Sequence, residues 1–322
     1  MIKNVAVVCG GYSGESVISI KSADFVLDNL DKNKYNAFKV IILLDSWYCE
    51  IEGDKYDIDK NDFSFVKDGK KVLFDIVYNI IHGDPGENGR LQAYFELLNI
   101  PNTSSNSTVS AMTFNKAYCN YIVKSLDVNV MPSVHLIKGE KIDYSAIIEK
   151  VGLPCFIKPN SGGSSIGMSK VAAEEDLLKA VEKAFAEDNE VLVEAFFEGR
   201  ELTCGLIKTN GKMVVFPLCE IVSKKEFFDY EAKYSENLVE ETIPAPIAED
   251  IAEVIKSTSV YLYKKLNLAG VVRIDFIFND NEYVFLEANT IPGMSAQSLI
   301  PQMARSYGWT NAELLDAVIE EV

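Results

Sequence analysis

The first hundred residues alternate short, continuous apolar runs with amphipathic stretches. The apolar runs are "KNVAVVCGG", "FKVIILL" and "FDIVYNI". After the first run, Ile20, Ala23, Leu27 and Leu30 recur at the spacing of a helix, and "GRLQAYFELLNI" after the third run has the same character. Strands that alternate with helices are typical of a sheet covered on both faces. The pattern predicts an open parallel sheet with flanking helices over residues 1–100.

Small polar residues in "IPNTSSNSTVSA" mark a boundary after this first segment. The following pattern predicts a helix near 113–126, a strand near 130–137, a helix near 143–151 and a strand at "PCFIKP". From about residue 190, several runs alternate apolar and polar positions, which is typical of antiparallel strands. One long helix over 247–266 interrupts them, with a predicted apolar stripe of Ile247, Ile251, Val254, Thr258, Leu262 and Leu266.

Composition narrows the classes of function. The chain of 322 residues carries 31 Lys and Arg against 48 Asp and Glu, a net charge of −17, which argues against nucleic acid as a partner. Its two histidines argue against a His-ligated transition metal. Six cysteines without a CxxC pair indicate buried, reduced thiols in a cytoplasmic protein. No apolar run reaches the ~18 residues of a membrane span, so no membrane association is expected.

The stretch "KPNSGGSSIGMSKV" at 158–171 is built almost entirely from small residues. Strand-like sequences on both sides predict a hairpin tip, whereas a Walker loop would lead into a helix. Consecutive N–H groups in such a tip can close over a phosphate chain. A plain mobile turn is the alternative that this segment alone leaves open. Lys158, at the end of an apolar strand, favours the phosphate interpretation because a charge there requires an anion.

Acidic and amide side chains cluster in "VVRIDFIFNDNEYVFLEANTIPG". Arg273 and Asp275 lie two apart on one predicted strand, and Glu287 and Asn289 lie two apart on the next, so each pair shares a face. Oxygen ligands without histidine suit Mg²⁺. A solvated sheet face with incidental charge is the alternative. Both carboxylates reach one side only if the connecting loop has an odd length, as residues 280–282 would give, or if a bulge shifts the register.

Six motifs, in order, give the chain a family resemblance. "KPNSGGSSIGMSKV", "YEAKY", "RIDF" and "LEANTIPGMSAQS" resemble the ATP-grasp ligases, and "GGYSGESVIS" with "HGDPGENGRLQ" narrows the resemblance to the D-alanine–D-alanine ligase family. The resemblance covers essentially the whole chain. It implies α/β and α+β architecture: an N-terminal open parallel-sheet (preATP-grasp, Rossmann-like) domain, here 1–100, followed by a two-subdomain ATP-grasp fold, here 101–188 with the phosphate loop and 189–322 with the metal site.

The resemblance also implies an activity. Family members use ATP to phosphorylate the carboxylate of one D-alanine, and the amine of a second D-alanine attacks the acyl phosphate. The dipeptide serves peptidoglycan synthesis. ATP is a substrate, two Mg²⁺ ions are the expected cofactors with Mn²⁺ as an alternative, and a cytoplasmic homodimer is expected.

Individual roles follow by matching motifs residue by residue. The resemblance implies ATP binding by Lys116, Lys158, Ser165, Glu194, Ala195, Phe197, Glu201 and Lys233. It implies substrate binding by Glu15, His82, Lys233 and Ser298, and catalysis by Glu15, Ser164, Tyr234, Arg273 and Gly293. The metal ligands would be Asp275, Glu287 and Asn289. Without the resemblance, Glu15 would be interpreted as a first-turn helix carboxylate favoured by the dipole.

Some positions depart from the family pattern, and other functions stay open. Ser16 stands where a basic residue is common, and Ala195-Phe196 replaces the commoner Lys-Trp. Tyr234 is typical of members that form the dipeptide, whereas ester-forming relatives often differ there. Another carboxylate–amine ligase and a non-catalytic nucleotide-binding module are alternatives. A dinucleotide oxidoreductase is disfavoured because "CGGYSG" has GGxxG spacing in place of GxGxxG.

Overall fold

The computed structural model of the chain describes residues 2–163, 166–223, 239–279 and 282–322. Four of the predicted site residues, Ser164, Ser165, Lys233 and Tyr234, lie outside these ranges. Within them, no helix combines the length and the apolar character that crossing a bilayer requires.

The elements follow in chain order. The strands are β1 (Lys3–Gly10), β2 (Tyr35–Ile42), β3 (Trp47–Ile51), β4 (Asp54–Asp57), β5 (Phe65–Lys67), β6 (Lys70–Val72), β7 (Ile76–Asn79), β8 (Ser133–Ile137), β9 (Cys155–Pro159), β10 (Ser169–Val171), β11 (Glu190–Ala195), β12 (Arg200–Thr209), β13 (Lys212–Val215), β14 (Cys219–Ser223), β15 (Val239–Thr242), β16 (Val271–Asn279) and β17 (Glu282–Asn289). The helices are α1 (Ser16–Asn29), α2 (Arg90–Leu97), α3 (Ser107–Phe114), α4 (Lys116–Ser125), α5 (Tyr144–Val151), α6 (Leu177–Glu187), α7 (Glu249–Lys265), α8 (Leu299–Tyr307) and α9 (Asn311–Glu320).

The N-terminal sheet has the order β4-β3-β2-β1-β7. Strand β1 runs parallel to β2 and to β7, as the three apolar runs predict. It lies at the centre, and every residue from Val5 to Cys9 is fully buried. The sheet is nevertheless mixed, because β3 and β4 extend it with antiparallel pairing. These two strands have only one face covered and lack a continuous apolar run, so the sequence pattern did not reveal them.

A second sheet, ordered β10-β9-β11-β8, carries the glycine- and serine-rich segment. Strands β9 and β10 pair antiparallel, so the predicted hairpin is confirmed. One face of the sheet packs on α5 and α6 through an apolar core that includes Ile157, Val191 and Val193. The opposite face carries Lys158 and the side chains paired beside it, so this face can receive a polar ligand.

The largest sheet of the described residues has the order β15-β14-β12-β16-β17, with β13 on β12. Helix α7 covers its apolar face, on which Val272, Ile274 and Phe276 are fully buried. The predicted stripe of this helix is partly wrong. Val254 is 48% exposed, and the buried positions are Ile255, Ser259, Leu262 and Tyr263.

The C-terminal helices α8 and α9 return to the N-terminal sheet, and the two regions share one apolar core. Lys34 and Tyr35 both donate to the Asp316 carboxylate across this contact. The last helix, α9, begins with a capping box in which Thr310 and Glu313 are bonded reciprocally. The predicted boundary at 188/189 falls before β11, which pairs with β8 and β9. Hydrogen bonding thus assigns β11 to the central sheet. The domain boundaries themselves stay a prediction.

All six cysteines are buried and free, in agreement with the predicted reduced thiols. Burial raises the pKa of Cys9 to about 12. A thiol held in its neutral form is a weak nucleophile. The chemistry of the protein must therefore come from other side chains.

Candidate active site

Lys116 is the first residue of α4, which fills most of the range predicted as a helix near 113–126. A separate helix, α3, which the sequence pattern did not predict, precedes it and ends at Phe114. Asn115 ends α3 and caps α4, its side chain accepting from the Tyr118 N–H. An Asn followed by a helical run is a start signal, which the apolar spacing alone had hidden. The cap places the Lys116 side chain under the glycine-rich loop, where its Nζ donates to the Gly162 carbonyl at 2.6 Å.

The charged groups that affect Lys116 come from two sheets, the one that contains β9 and β11 and the one that contains β16 and β17. Burial lowers the pKa of Lys116 below its ordinary 10.5, and Lys158 lowers it further, whereas Glu287 and Glu194 oppose this shift. Glu287 lies on β17, while Lys158 and Glu194 lie on β9 and β11. Lys158, Glu194 and Glu287, from both sheets, thus all lie within electrostatic reach of Lys116.

Lys158 forms an ion pair with Glu194, a side chain buried to 3% exposure. The other Glu194 oxygen accepts from Asn120 of α4 at 2.9 Å. Asn120 is itself buried, and the sequence pattern gave no indication of its role. A buried carboxylate needs its charge paired and its lone pairs bonded, and these two partners provide both.

Phe156 lies on the same face of β9 as Lys158 and pairs across the sheet with Glu194. Its ring lies 5.9 Å from the Phe196 ring, and the Lys170 ammonium lies 4.2 Å from the Phe196 centroid. The Ala195 N–H donates to the Pro132 carbonyl, so a main-chain contact from Ala195 to a ligand would use its carbonyl. The end of β11 thus offers two aromatic rings, tilted by 53° to each other, beside backbone and carboxylate acceptors, and such rings can pack against a planar base.

The acidic hairpin has the predicted common face, but through a bulge. Strand pairing runs Asn279 to Glu282, so the connection is residues 280–281 and not the three residues that were expected. The register shifts between Asp275 and Phe276, which brings Asp275 directly opposite Glu287. Arg273 lies opposite Asn289. The bulge therefore places Asp275 and Glu287 on the same face of the sheet, as a connecting loop of odd length would have done.

Arg273 holds the Asp275 carboxylate through three N–H···O contacts of 2.9–3.1 Å. Thr203, on the neighbouring strand β12, donates to the same carboxylate at 2.8 Å. The Arg273 guanidinium also lies 3.8 Å from a Glu287 oxygen. Burial alone would lower the pKa of Arg273, but the Asp275 and Glu287 carboxylates outweigh it and raise that pKa, and Glu201 adds to their field. Arg273 thereby relieves the repulsion between two carboxylates that face each other on adjacent strands.

The donor set on this face fits a divalent cation. Asp275, Glu287 and Asn289 offer carboxylate and amide oxygens, the ligands that Mg²⁺ and Mn²⁺ take. Within the described ranges, no group of three His, Cys, Asp or Glu side chains could hold a metal. Asn289 is therefore needed to complete the set. Its side-chain oxygen accepts from the Ile291 N–H at 3.2 Å, which fixes the orientation of the amide.

Two loops of the N-terminal domain reach this site. Glu15 stands at the N-terminus of α1, and a Cβ on Gly163 would lie 3.2 Å from each of its carboxylate oxygens. Glycine at 163 thus lets the glycine-rich loop approach the carboxylate. His82 is buried, and its Nδ1 lies 3.0 Å from the Ile291 carbonyl. A carbonyl only accepts, so Nδ1 carries the proton and Nε2 is an acceptor in the neutral ring.

Glu87 is a further carboxylate of this site that the sequence interpretation missed. It accepts from the Gly83 N–H at 2.6 Å, and its own N–H donates to the Gly83 carbonyl. Burial raises its pKa to about 7, and the Glu15 and Glu287 carboxylates add to this effect, while Lys116 opposes it. Glu87 stands five residues after His82 in "HGDPGENG". Its place in the same motif as His82 was the one indication in the sequence that it belongs to the site.

The segment after the acidic hairpin brings Gly293 and Ser298 together. A Cβ on Gly293 would lie 2.9 Å from the Ser298 Oγ. Ser298 precedes α8 and accepts from the Ser295 N–H at 2.9 Å. The N-terminus of a helix favours an anion, so α8 adds a positive dipole end beside these residues. Among the described residues, the structure thus places Gly293 beside Ser298, Asp275 beside Glu287 and Lys158 beside Glu194.

Comparisons with known proteins show which family the chain is similar to. The family described as D-ala D-ala ligase N-terminus matches residues 4–105, and D-ala D-ala ligase C-terminus matches residues 122–320. A D-alanine–D-alanine ligase of Phocaeicola vulgatus is 48% identical over 99% of both chains. One of Parabacteroides distasonis is 45% identical over 100% of this chain and 98% of its own.

Solved structures show the same fold. A D-alanyl-alanine synthetase A of Vibrio cholerae superimposes with a TM-score of 0.89 at 28% identity, over 99% of this chain and 98% of its own. A D-Ala:D-Ser ligase of Enterococcus faecalis gives 0.87 at 29% identity over 100% of both chains. The fold is the ATP-grasp architecture with its N-terminal domain, as predicted, and by sequence, structure and site this chain belongs to the D-alanine–D-alanine ligase family.

Proposed function

We propose that this protein is an ATP-dependent ligase that joins two D-alanines into D-alanyl-D-alanine for peptidoglycan synthesis. The observation that carries the proposal is the placement of Lys116 under the glycine-rich loop and of Lys158 beside Glu194, with Glu287 of the acidic hairpin within electrostatic reach of Lys116. Family membership over the whole chain supports the choice of substrates. A non-catalytic module would not need both halves of such a site.

The reaction must convert a poor electrophile into a good one. A carboxylate oxygen of the first D-alanine attacks the γ-phosphorus of ATP, and ADP leaves. The deprotonated amine of the second D-alanine then attacks the carbonyl carbon of the acyl phosphate. The tetrahedral intermediate expels phosphate, which carries one oxygen from the original carboxylate, and the amide remains. Several negative charges meet in one cleft, so preorganised cations are the main requirement.

ATP would lie between the two sheets. Lys116 and Lys158 would hold its phosphates, with Ser165 in the loop above them and Lys233 near the γ-phosphate. Glu194 and the Ala195 carbonyl would accept from the adenine amino group, and the Phe197 N–H would donate to the ring. Glu201 would accept from the ribose hydroxyls. Because Lys158 is paired with Glu194 here, nucleotide binding would exchange this partner for phosphate.

Asp275, Glu287 and Asn289 would hold two Mg²⁺ ions, with Mn²⁺ as an alternative. When bound, the ions would supply positive charge that neutralises the phosphates. Arg273 keeps Asp275 oriented by donating to both carboxylate oxygens, Nε to Oδ1 and a terminal nitrogen to Oδ2. Thr203 supports that orientation from the next strand.

The substrate groups match the remaining side chains. Glu15 would receive the ammonium of the first D-alanine, in a hydrogen-bonded triad with Ser164 and Tyr234. His82 lies on the substrate side, with Nε2 as its acceptor. Arg273 and the Gly293 N–H would stabilise the oxyanion of the tetrahedral intermediate, and Ser298, at the start of α8, would hold the carboxylate of the second D-alanine.

A product assay tests the proposal. Purified protein with ATP, Mg²⁺ and D-alanine should release one phosphate for each D-alanyl-D-alanine formed, and L-alanine should give neither product. Phosphate release that requires another amino acid would identify a different carboxylate–amine ligase. Parallel reactions with D-serine and D-lactate test the second position, since a D-Ala:D-Ser ligase shares this fold. The homodimer and the cytoplasmic location stay predictions.

A further inference from the structure

A buried polar cluster joins the backbones that carry the two phosphate lysines. At its centre is Asn160, which is fully buried two residues after Lys158. Its N–H donates to the Glu190 carbonyl at 2.9 Å, and its carbonyl accepts from the Lys116 N–H at 3.1 Å. Its side-chain oxygen accepts from the Ala117 N–H and its side-chain amide donates to Glu190 Oε2, both at 2.9 Å.

Glu190 collects the other members of the cluster. The same Oε2 atom accepts from the Asn115 side-chain amide at 3.2 Å and lies 2.8 Å from His135 Nε2. Asn115 is the residue that starts α4. Four segments therefore meet at one carboxylate oxygen: the start of α4, the end of β9, the start of β11 and the middle of β8.

The arrangement has a consequence for Lys116 and Lys158. Two ammonium groups near each other repel, and the field of Lys158 disfavours the charged form of Lys116. Without a polyphosphate between them, the surrounding fold must hold them in place. A site that is preorganised in this way does not spend binding energy on assembling itself.

We propose that Asn160 and Glu190 are positioning residues that set Lys116 relative to Lys158 for a polyphosphate. The four polar groups of Asn160 are all bonded within the protein, so it acts through the lysines and not on the nucleotide. The inference rests on the proposed function, because it has meaning only if these lysines bind ATP phosphates.

The variant Asn160→Asp tests the inference. It keeps the size of the side chain and the acceptor for the Ala117 N–H, but it turns the donor toward Glu190 into an oxygen. Two carboxylates then face each other at a buried contact. The KM for ATP should rise at least about tenfold, while the KM for D-alanine stays within about twofold. A purely structural role would lower the amount of active enzyme and leave both KM values unchanged.

The double variant that combines Asn160→Asp with Glu190→Gln supplies a matched control. It exchanges the acid and the amide, so the amide introduced at position 190 can donate to the carboxylate introduced at position 160. The same amide nitrogen then faces Asn115, which loses this acceptor, and His135 Nε2, which can accept from it when the ring proton is on Nδ1. The KM for ATP should return to within about threefold of the wild-type value, a non-additive result that contacts between neighbours produce. If the double variant is as impaired as Asn160→Asp alone, the inference is overturned.

Two more variants keep the test decisive. If Asn160→Asp does not fold, Glu190→Ala removes the shared acceptor from a side chain that is 33% exposed. It should raise the KM for ATP in the same way, and an unchanged KM would overturn the inference. Lys158→Ala runs in parallel. If it leaves the KM for ATP unaltered, the phosphate assignment itself fails; if it raises the KM while Asn160→Asp does not, only the positioning inference fails.

Discussion

The substitution Glu87→Gln should stabilise the apo protein at alkaline pH. Burial, with the nearby Glu15 and Glu287 carboxylates, raises the pKa of Glu87 from 4.5 to about 7. A carboxyl group with a raised folded-state pKa binds a proton on folding, so its contribution to stability is lost as pH rises through this window. One pKa unit corresponds to about 1.4 kcal/mol, which sets a ceiling of roughly 3 kcal/mol above pH 7. Because the side chain is only partly buried, screening reduces the expected gain to about 1–2 kcal/mol.

Urea unfolding at pH 5 and pH 8 measures this gain. The glutamine oxygen can still accept from the Gly83 N–H, so the variant loses the charge and keeps the bond. The variant should exceed the wild type by only a few tenths of a kcal/mol at pH 5, near the lower edge of the window, and by about 1–2 kcal/mol at pH 8. Glu149→Gln, on an exposed turn of α5, is the control and should change neither value. A variant that is equally or less stable than the wild type at pH 8 would refute the reasoning. The activity of Glu87→Gln should fall, because a buried charge that destabilises a functional site is usually retained for its role in activity.

Other expected results concern the ligand groups directly. Lys158→Ala should lower kcat/KM for ATP by about 10²-fold or more, as loss of a charge-stabilising group does, and near-normal kinetics would remove the phosphate role of the loop. Glu287→Ala should abolish metal-dependent turnover and weaken Mn²⁺ binding measured without ATP; intact Mn²⁺ affinity would contradict the metal assignment. Because the pKa of Lys116 is lowered, its ammonium should lose its proton at a pH below 10.5, the ordinary pKa of lysine. The KM for ATP should therefore begin to rise below pH 10.5. A Lys116→Arg variant should not show this rise. Tyr234→Phe should raise D-lactate incorporation relative to D-alanine, and an unchanged product ratio would place specificity elsewhere.

Much of the fold follows from local pattern, because buried strands and amphipathic helices leave periodic signals. The parallel strands β1, β2 and β7, the hairpin at 158–171 and the two faces of β16 were all predictable in this way. The pattern failed where neighbours decide the outcome. Strands β3 and β4 form by pairing with β2, and the exposed Val254 shows that the sheet, and not the helix itself, selects the buried face of α7.

The same distinction applies to the candidate site, where some features were predictable from the sequence and others were not. Individual chemical groups, such as the acidic pairs on β16 and β17, are visible in the sequence. The contacts of these groups are not visible in the sequence. Asn120 donates to Glu194, 74 residues away along the chain, and Asn115 donates to Glu190, 75 residues away. The bulge opposite Asp275 likewise depends on the paired strand and not on the spacing of acidic residues. Long-range polar pairing leaves no periodic trace along a chain, so only the folded structure reveals it.

Oxygen transfer provides the sharpest test of the acyl-phosphate route. D-alanine labelled with ¹⁸O in its carboxylate is incubated with unlabelled ATP and Mg²⁺, and the mass of the released phosphate is determined. The proposed reaction predicts one ¹⁸O atom in each phosphate, together with ADP. Unlabelled phosphate, or label recovered in AMP, would contradict it.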